Sequence, residues 1–391
     1  MEKYELKSGF TTGTCAAVAA KAATAMLLTG KILEHMNLVT PKGTEADLPL
    51  FHVVRKQNQA SCGVIKDAGD DPDVTHQAYV FASVEYFEDM EQTSDPSYCF
   101  RGEEGNESPI YITAGEGIGW VTRPGLSCPV GYPAINPVPR KMIFEEVWKI
   151  RQESGYDGAL KIRIWMPEGE KLAEKTFNSK LGIQGGLSIL GTTGIVKPMS
   201  EDALIATIKL ELHMKAVSGL KHVILTPGNY GEAFIKESLH LSLEDGVTVS
   251  NYIKTSCSMA GKEGFDQILF VGHIGKLIKV AGGVENTHSK YGDRRMEILW
   301  DCAASYIEEK EKERIFKANT MDEAVQILLE LERLEPVMAD VVLRIQSYVR
   351  SWTGNIPVEV VTFSKVFGIL GMTPGARKLI DHGFVSKKQK K

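Results

Sequence analysis

The apolar positions of this chain change rhythm part-way along it. In the first part, short apolar runs lie between turn signals: ILEHMNLVT, ADLPLFHVVRK, ASCGVIKDAG, QAYVFASVEYF and PIYITAG, separated by PKGT and DAGDDPD. Runs of this length and content predict strands. Helices interrupt them. KSGFTTGTCAAVAAKAATAMLLTG passes from a Gly/Thr loop into an alanine-rich stretch that stops at Gly30, with Thr11, Thr12 or Thr14 placed to cap it. RKMIFEEVWKIRQESG predicts a second helix after the proline-laced PAINPVP. The strand ALKIRIWMP follows, then an aliphatic stretch rich in glycine, LGIQGGLSILGTTGIVKPMS, then a helix near 201–218.

Beyond this point apolar strands alternate with helices. HVILTPGNYGEAFIKESL predicts strand, glycine turn and helix; GVTVS with NYIKTSCSMAGKEG and QILFVGHIGKLIKVAGG repeat the unit. Two helices near 292–309 and 321–351 follow, with a break expected at Pro336, and VEVVTF is the last expected strand. Strands first with few helices predict an α+β domain, 1–218; the alternation predicts an α/β domain with a mostly parallel sheet between helical layers, 219–391.

Length agrees with two domains, since single cores stop growing at about 250–300 residues and the chain has 391. The composition is that of an ordinary soluble enzyme: 43% hydrophobic, 24% charged, net charge -5. It marks neither a disordered nor a nucleic-acid-binding chain, and the terminal KKQKK reads as a solvated tail. MEKYELKSGF lacks the apolar core of a signal peptide, and no apolar run reaches the roughly 18 residues of a membrane span. The six cysteines, at 15, 62, 99, 128, 257 and 302, show no CxxC spacing, which argues against a zinc site or a disulfide framework. The expectation is a cytoplasmic protein with reduced thiols, no membrane and no nucleic acid.

Several loops carry candidate chemistry, each with a plainer reading beside it. SGFTTGT, 8–14, precedes a helix; its amides and threonines suit an anion, or simply cap the helix. DAGDDPDVTH, 67–76, clusters Asp67, Asp70, Asp71 and Asp73: a hard-cation site, a turn, or a carboxylate that takes a proton or orients a cationic ligand. TAGEGIGWVTRPGL, 113–126, echoes a dinucleotide fingerprint but enters a strand instead of a helix, so that reading fails and a glycine hairpin near a ligand remains. TPGNYGE, 226–232, is a glycine turn between a parallel strand and a helix, where open α/β sheets bind ligands. GHIGKLIKVAGGVENTHSKYGDRR, 272–295, sets His273 at a strand's carboxyl end and His288 among cations, an arrangement for ligand contact.

In order along the chain, FTTGTCAA, DAGDDPDVTH, the GxGxGxVT…PGL segment, PAINPVPR, KTFNSKLGIQGGLSILGTTGIVKPMS, TPGNYG and GHIGKLIKVAGGVENTHSK resemble the cobalt-precorrin-5B C1-methyltransferases of anaerobic cobalamin biosynthesis. The resemblance runs from about residue 7 to about residue 295. EYFEDMEQTSDPSYCFRGEEGNES departs from the pattern and reads as a surface loop.

The resemblance implies methyl transfer from S-adenosylmethionine to C1 of a cobalt-containing contracted tetrapyrrole, giving cobalt-precorrin-6A. It also implies an α+β domain followed by a Rossmann-like α/β domain. Cobalt arrives within the substrate, so no protein metal site is expected. Thr226, Gly228, Asn229, Gly231 and Gly272 are the donor-binding candidates. Thr11, Thr12, Thr14, Arg123, Arg140, Gly191, Thr192, Thr193, Lys276 and Lys290 are the candidates for the macrocycle, whose acetate and propionate groups require cations, hydroxyls and amides; Lys279, Arg294 and Arg295 join them. His273, His288 or Asp67 would take a proton or stabilise charge on the ring. In-line displacement at a sulfonium methyl gains chiefly from alignment, worth about 7–11 kcal/mol in favourable cases. A non-catalytic tetrapyrrole carrier or pathway scaffold is the competing reading. Transient contact with neighbouring pathway enzymes is compatible with either, and the oligomeric state is open.

Overall fold

The computed structural model describes residues 6–88, 96–105 and 107–384. The chain divides into two compact units, Met1–Ser200 and Glu201–Lys391. The helix Glu201–Val217, placed above in the first domain, falls in the second because Ile208 and Leu212 pack into the second unit's core.

The first unit is built on the helix α1, Thr12–Thr29. Alanine is the strongest helix former, and its small side chain lets helix and neighbours approach closely. α1 is apolar nearly all round and long enough to cross a membrane by length and composition, yet it lies inside the unit's core, where such helices belong. Thr11 caps its start by accepting from the Thr14 amide. Gly30, at φ 78°, ends it by donating to the Met26 carbonyl.

Around α1 stands a six-stranded sheet made of β1 (Phe51–Arg55), β2 (Gln59–Ile65), β3 (Tyr79–Phe87), β4 (Tyr98–Phe100), β5 (Ile110–Ala114) and, after the helix α2 (Pro137–Ser154), β6 (Ala159–Trp165). The strand order is β1-β2-β3-β6-β5-β4. Only the β5/β6 pair is parallel. The inward set, including Cys62, Val64, Val80, Ala82, Ile110, Ile112 and Ile162, packs on the helices. ADLPLFHVVRK forms two strands, not one: Glu45–Pro49 pairs with His35–Val39, and β1 joins the sheet. In the stretch read as a surface loop, residues 89–95 and 106 lie outside the described residues. Within it Tyr98–Phe100 is an edge strand, and Tyr98 is buried.

The second unit opens with α3 (Glu201–Val217). Then come β7 (His222–Thr226), α4 (Asn229–Glu237), β8 (Gly246–Thr248), α5 (Ile253–Lys262), β9 (Gln267–His273) and α6 (Ile274–Ala281). After them follow α7 (Arg295–Ala303), α8 (Met321–Glu330), α9 (Leu334–Trp352), β10 (Val358–Ser364), β11 (Gly368–Met372) and α10 (Ala376–Gly383). The sheet order is β8-β7-β9-β10-β11. The first four strands are parallel and β11 is antiparallel. β7, β9 and β10 are buried apolar runs, as strands covered on both faces must be. One face packs α5, α6 and α9; the other packs α4 and α10.

VEVVTF is therefore not the last strand: β11 and α10 follow it. The helix expected over 321–351 is two helices. Pro336 sits in the first turn of the second, where its missing N–H is tolerated, and the break lies before it, at Glu332 with φ 56°. The KKQKK tail lies outside the described residues.

Candidate functional site

In the second unit the chain runs from β7 to the outer strand β8, then returns to pair β9 on the other side of β7. The helices that follow β7 and β9 go to opposite faces. Such a reversal opens a crevice beyond the carboxyl ends of the two strands. Thr226 ends β7 and His273 ends β9, so the TPGN and HIGK turns are the two walls of this crevice.

The turn after β7 is shaped by glycine. Gly228 sits at φ 86° and precedes α4 without any side-chain cap. A Cβ on it would lie 3.2 Å from the Lys276 amine; a Cβ on Gly231 would lie 1.7 Å from the Thr226 hydroxyl. Thr226 is 1% exposed, and its Oγ1 has no hydrogen-bond partner. A buried polar atom left in this way is costly and uncommon. On the facing wall, Gly272 is held small by Leu277 and Pro227: a Cβ there would come within 2.2 Å of the Leu277 side chain.

His273 caps α6, its Nδ1 accepting from the Gly275 amide at 3.1 Å. That bond leaves Nε2 as the protonated nitrogen of the neutral ring. Burial holds its pKa below the usual histidine value, Lys365 adds to this and Asp322 opposes it. Its ring lies 5.5 Å from Phe363, edge-on, and 6.1 Å from Tyr230. Lys365, just beyond β10, sits 3.4 Å over the Tyr230 ring. Burial, with help from Lys279, likewise lowers the Lys276 ammonium.

Tyr230, Phe363 and Lys365 were not anticipated. Tyr230 lay within the quoted turn, and Lys365 follows a strand's carboxyl end, which is the signal that could have found it. Asn251, beyond β8, meets Thr287, hydroxyl to side-chain carbonyl, at 3.1 Å.

The other basic candidates of this unit are engaged. Lys279 is buried and donates to the Gly292 carbonyl at 3.1 Å. Lys290 pairs with Glu201, Arg295 clasps Asp293 at 2.6 Å, and Arg294 faces Glu297 at 3.8 Å. His288 is exposed and caps a single turn, accepting from the Lys290 amide at 3.1 Å. It shares a backbone role with His273 but not its burial.

In the first unit, two loops read apart in the sequence close on each other. The Gly13 amide donates to the Leu190 carbonyl at 3.0 Å and the Thr11 amide to Gly194 at 3.1 Å. The Thr14 hydroxyl donates to the Gly194 carbonyl at 2.7 Å, and Thr12 exchanges hydrogen bonds with Leu190. Gly191, at φ 139°, lies so near Thr11 that a Cβ would come within 2.2 Å of its hydroxyl; a Cβ on Gly194 would come within 2.7 Å of Thr40 and 2.9 Å of the Thr14 hydroxyl. The first turn of α1 thus binds backbone and its own cap, and the glycines of GTTG admit this contact. Thr192 stays exposed, and the Thr193 hydroxyl turns back to the Ile195 carbonyl at 3.1 Å.

DAGDDPD is a braced turn. Lys66, 1% exposed, pairs with Asp73 at 2.6 Å. Asp67 binds Lys7 at 2.8 Å and the Gly69 amide at 2.8 Å, and Asp71 accepts from the Met199 amide. The Lys7 bond, then the Gly69 amide, hold Asp67 below the usual carboxylate range, which makes it a weak base. Among the described residues no cluster of three His, Cys, Asp or Glu converges to hold a metal. Arg123 is exposed beside Gly182, with no acidic partner among the described residues. Arg140, in the first turn of α2, lays its guanidinium 3.8 Å over the Tyr98 ring, and its buried Nε is without a partner.

Residues 1–198 match the family model described as CbiD, and residues 286–374 match that described as CbiD, C-terminal domain. A protein of Alkaliphilus metalliredigens, named cobalt-precorrin-5B C(1)-methyltransferase, is 39% identical over 97% of each chain. One of Thermosipho africanus with the same name is 42% identical over 95% of this chain and 98% of its own. A crystal structure of cobalamin biosynthesis protein (cbiD) from Archaeoglobus fulgidus is 28% identical, covering 71% of this chain and 80% of that one, with a TM-score of 0.37.

Proposed function

The chain belongs to the CbiD family, and we propose that it is a cobalt-precorrin-5B C1-methyltransferase of cobalamin biosynthesis that draws its methyl group from S-adenosylmethionine. The observation that carries the donor reading is the unsatisfied Thr226 hydroxyl beneath the glycine turn at the strand-order reversal. The donor supplies an electrophilic methyl on a sulfonium, and the residues of this chain have to hold and align it. Thr226, Gly228, Asn229, Gly231 and Gly272 form a bare-backbone cradle for it. His273, neutral and presenting Nε2–H, is placed to donate to a ligand in the crevice or to relay a proton. A group kept neutral by burial does so without placing a second positive charge beside the sulfonium.

The cobalt ion belongs to the substrate. Arg123 and Arg140, neither with an acidic partner among the described residues, are the first unit's cations for macrocycle carboxylates. No covalent intermediate with the protein is needed, and aligned displacement suffices. The site of action is the cytoplasm.

Calorimetry with S-adenosylhomocysteine tests the reading against a non-catalytic carrier. The enzyme binds this product; a carrier binds tetrapyrrole alone. Folded protein that takes up tetrapyrrole and ignores S-adenosylhomocysteine would overturn the donor assignment.

A further inference from the structure

Lys276 was grouped above with the macrocycle's cations, but its surroundings differ from theirs. It is half-buried, one residue beyond Gly275 in the first turn of α6. Its amine reaches across to the turn after β7, 3.2 Å from where a Gly228 side chain would begin. Lys290, Arg294 and Arg295 each have a carboxylate partner; among the described residues no hydrogen bond or ion pair engages Lys276. An ammonium held partly out of water without an anion is a standing cost.

Beside it α4 begins, nine residues long, with no side-chain cap. The amides of Asn229 and Tyr230 have no acceptor within the helix, and the helix dipole favours a negative charge at that end. The buried Thr226 hydroxyl stands under the same turn against Gly231, also without a partner. A cation and two amides thus face the same turn, with the unpartnered Thr226 hydroxyl packed beneath it, and neither the cation nor the amides have the anion that a carboxylate would supply.

We infer that Lys276, with the start of α4, is the anchor for the amino-acid carboxylate of the methyl donor. This rests on the donor reading given above. The macrocycle also carries carboxylates. They are spread around a wide ring and suit exposed cations such as Arg123, whereas a half-buried amine beside a tight turn fits one small terminal group. Removing a charge-assisted contact of this kind from the complex weakens affinity roughly 10-fold or more.

The test is calorimetry on the full chain with two probes: S-adenosylhomocysteine, which carries the carboxylate, and 5′-methylthioadenosine, which lacks it. Lys276→Gln should lose at least roughly 10-fold affinity for the first and none for the second, and Lys276→Arg should restore most of the loss. Because Lys276→Gln removes an uncompensated charge, it should melt no lower than the parent protein. Equal weakening of both probes, or unchanged S-adenosylhomocysteine binding with weakened cobalt-precorrin-5B binding, would overturn the anchor and leave the donor site standing. Failure of the parent protein to bind either nucleoside would remove the donor reading itself, and the anchor with it.

Discussion

Gly191→Ala probes how the glycine-rich loop is held. At φ 139° an alanine is strained whatever the space around it, at a cost of about 1–3 kcal/mol. Its Cβ would also sit 2.2 Å from the Thr11 hydroxyl and 2.5 Å from the Thr11 Cβ. Thr11 is buried and caps α1, so it can yield only by giving up that cap, worth about 1 kcal/mol. The sum is roughly 2–4 kcal/mol, which in a unit of this size lowers Tm by roughly 5–15 °C.

Scanning calorimetry on four proteins separates the two costs: parent, Gly191→Ala, Thr11→Gly and the double variant. Thr11→Gly removes the side chain that the new methyl would strike, and glycine is itself a tolerable cap. The alanine should therefore cost about 1 kcal/mol less in the Thr11→Gly background. Strict additivity would refute the claim that Gly191 exists to admit Thr11.

Asp73→Asn leaves the Lys66 ammonium buried and unpaired and should cost about 3–5 kcal/mol in urea unfolding; a loss below about 1 kcal/mol would contradict the pairing. Burial raises the Asp73 pKa, but the Lys66 ion pair and the two Thr75 bonds outweigh it, and the net shift is downward. A depressed carboxylate contributes stability that is present above its unfolded pKa and lost as pH falls through the folded one. The urea midpoint should thus drop below about pH 4 in the parent and stay flatter in Asp73→Asn. Burial pushes the Cys15 thiol up to about 12, so native protein at pH 8 should resist iodoacetamide there while the exposed Cys99 reacts; mass spectrometry of the peptides reads both. By NMR, His273 should titrate below the ordinary histidine value, and Phe363→Ala, which opens its ring to water, should raise it.

Local signals were legible where local forces decide. The alanine run with Thr11 before it and Gly30 after it specifies α1 because propensity and both caps agree. The strand-turn-helix repeats after residue 218 specify a parallel sheet because covered strands must be apolar throughout. Long-range choices were not legible. Nothing in EDALIATIKLELHMKAV states which core Ile208 and Leu212 will join. β11 depends on pairing β10 through a register shift at Thr362/Phe363 and on Gly371 packing against α9, which no short window reveals.

The glycines of GTTG show the limit most clearly. They announced that something approaches the backbone closely, and the structure shows that part of that something is Thr11, Thr14 and Thr40 of the same unit. In the TPGNYG turn the same residue type faces an uncompensated amine and an unpartnered hydroxyl instead. The difference lies in which atoms are left unsatisfied, and only the assembled fold displays it.

The most direct measurement is transfer of the methyl group itself. Folded protein incubated with cobalt-precorrin-5B and S-adenosylmethionine carrying a labelled methyl should place one label on C1 of the macrocycle and release S-adenosylhomocysteine in equal amount. An unlabelled macrocycle recovered from protein that binds both ligands would contradict the account.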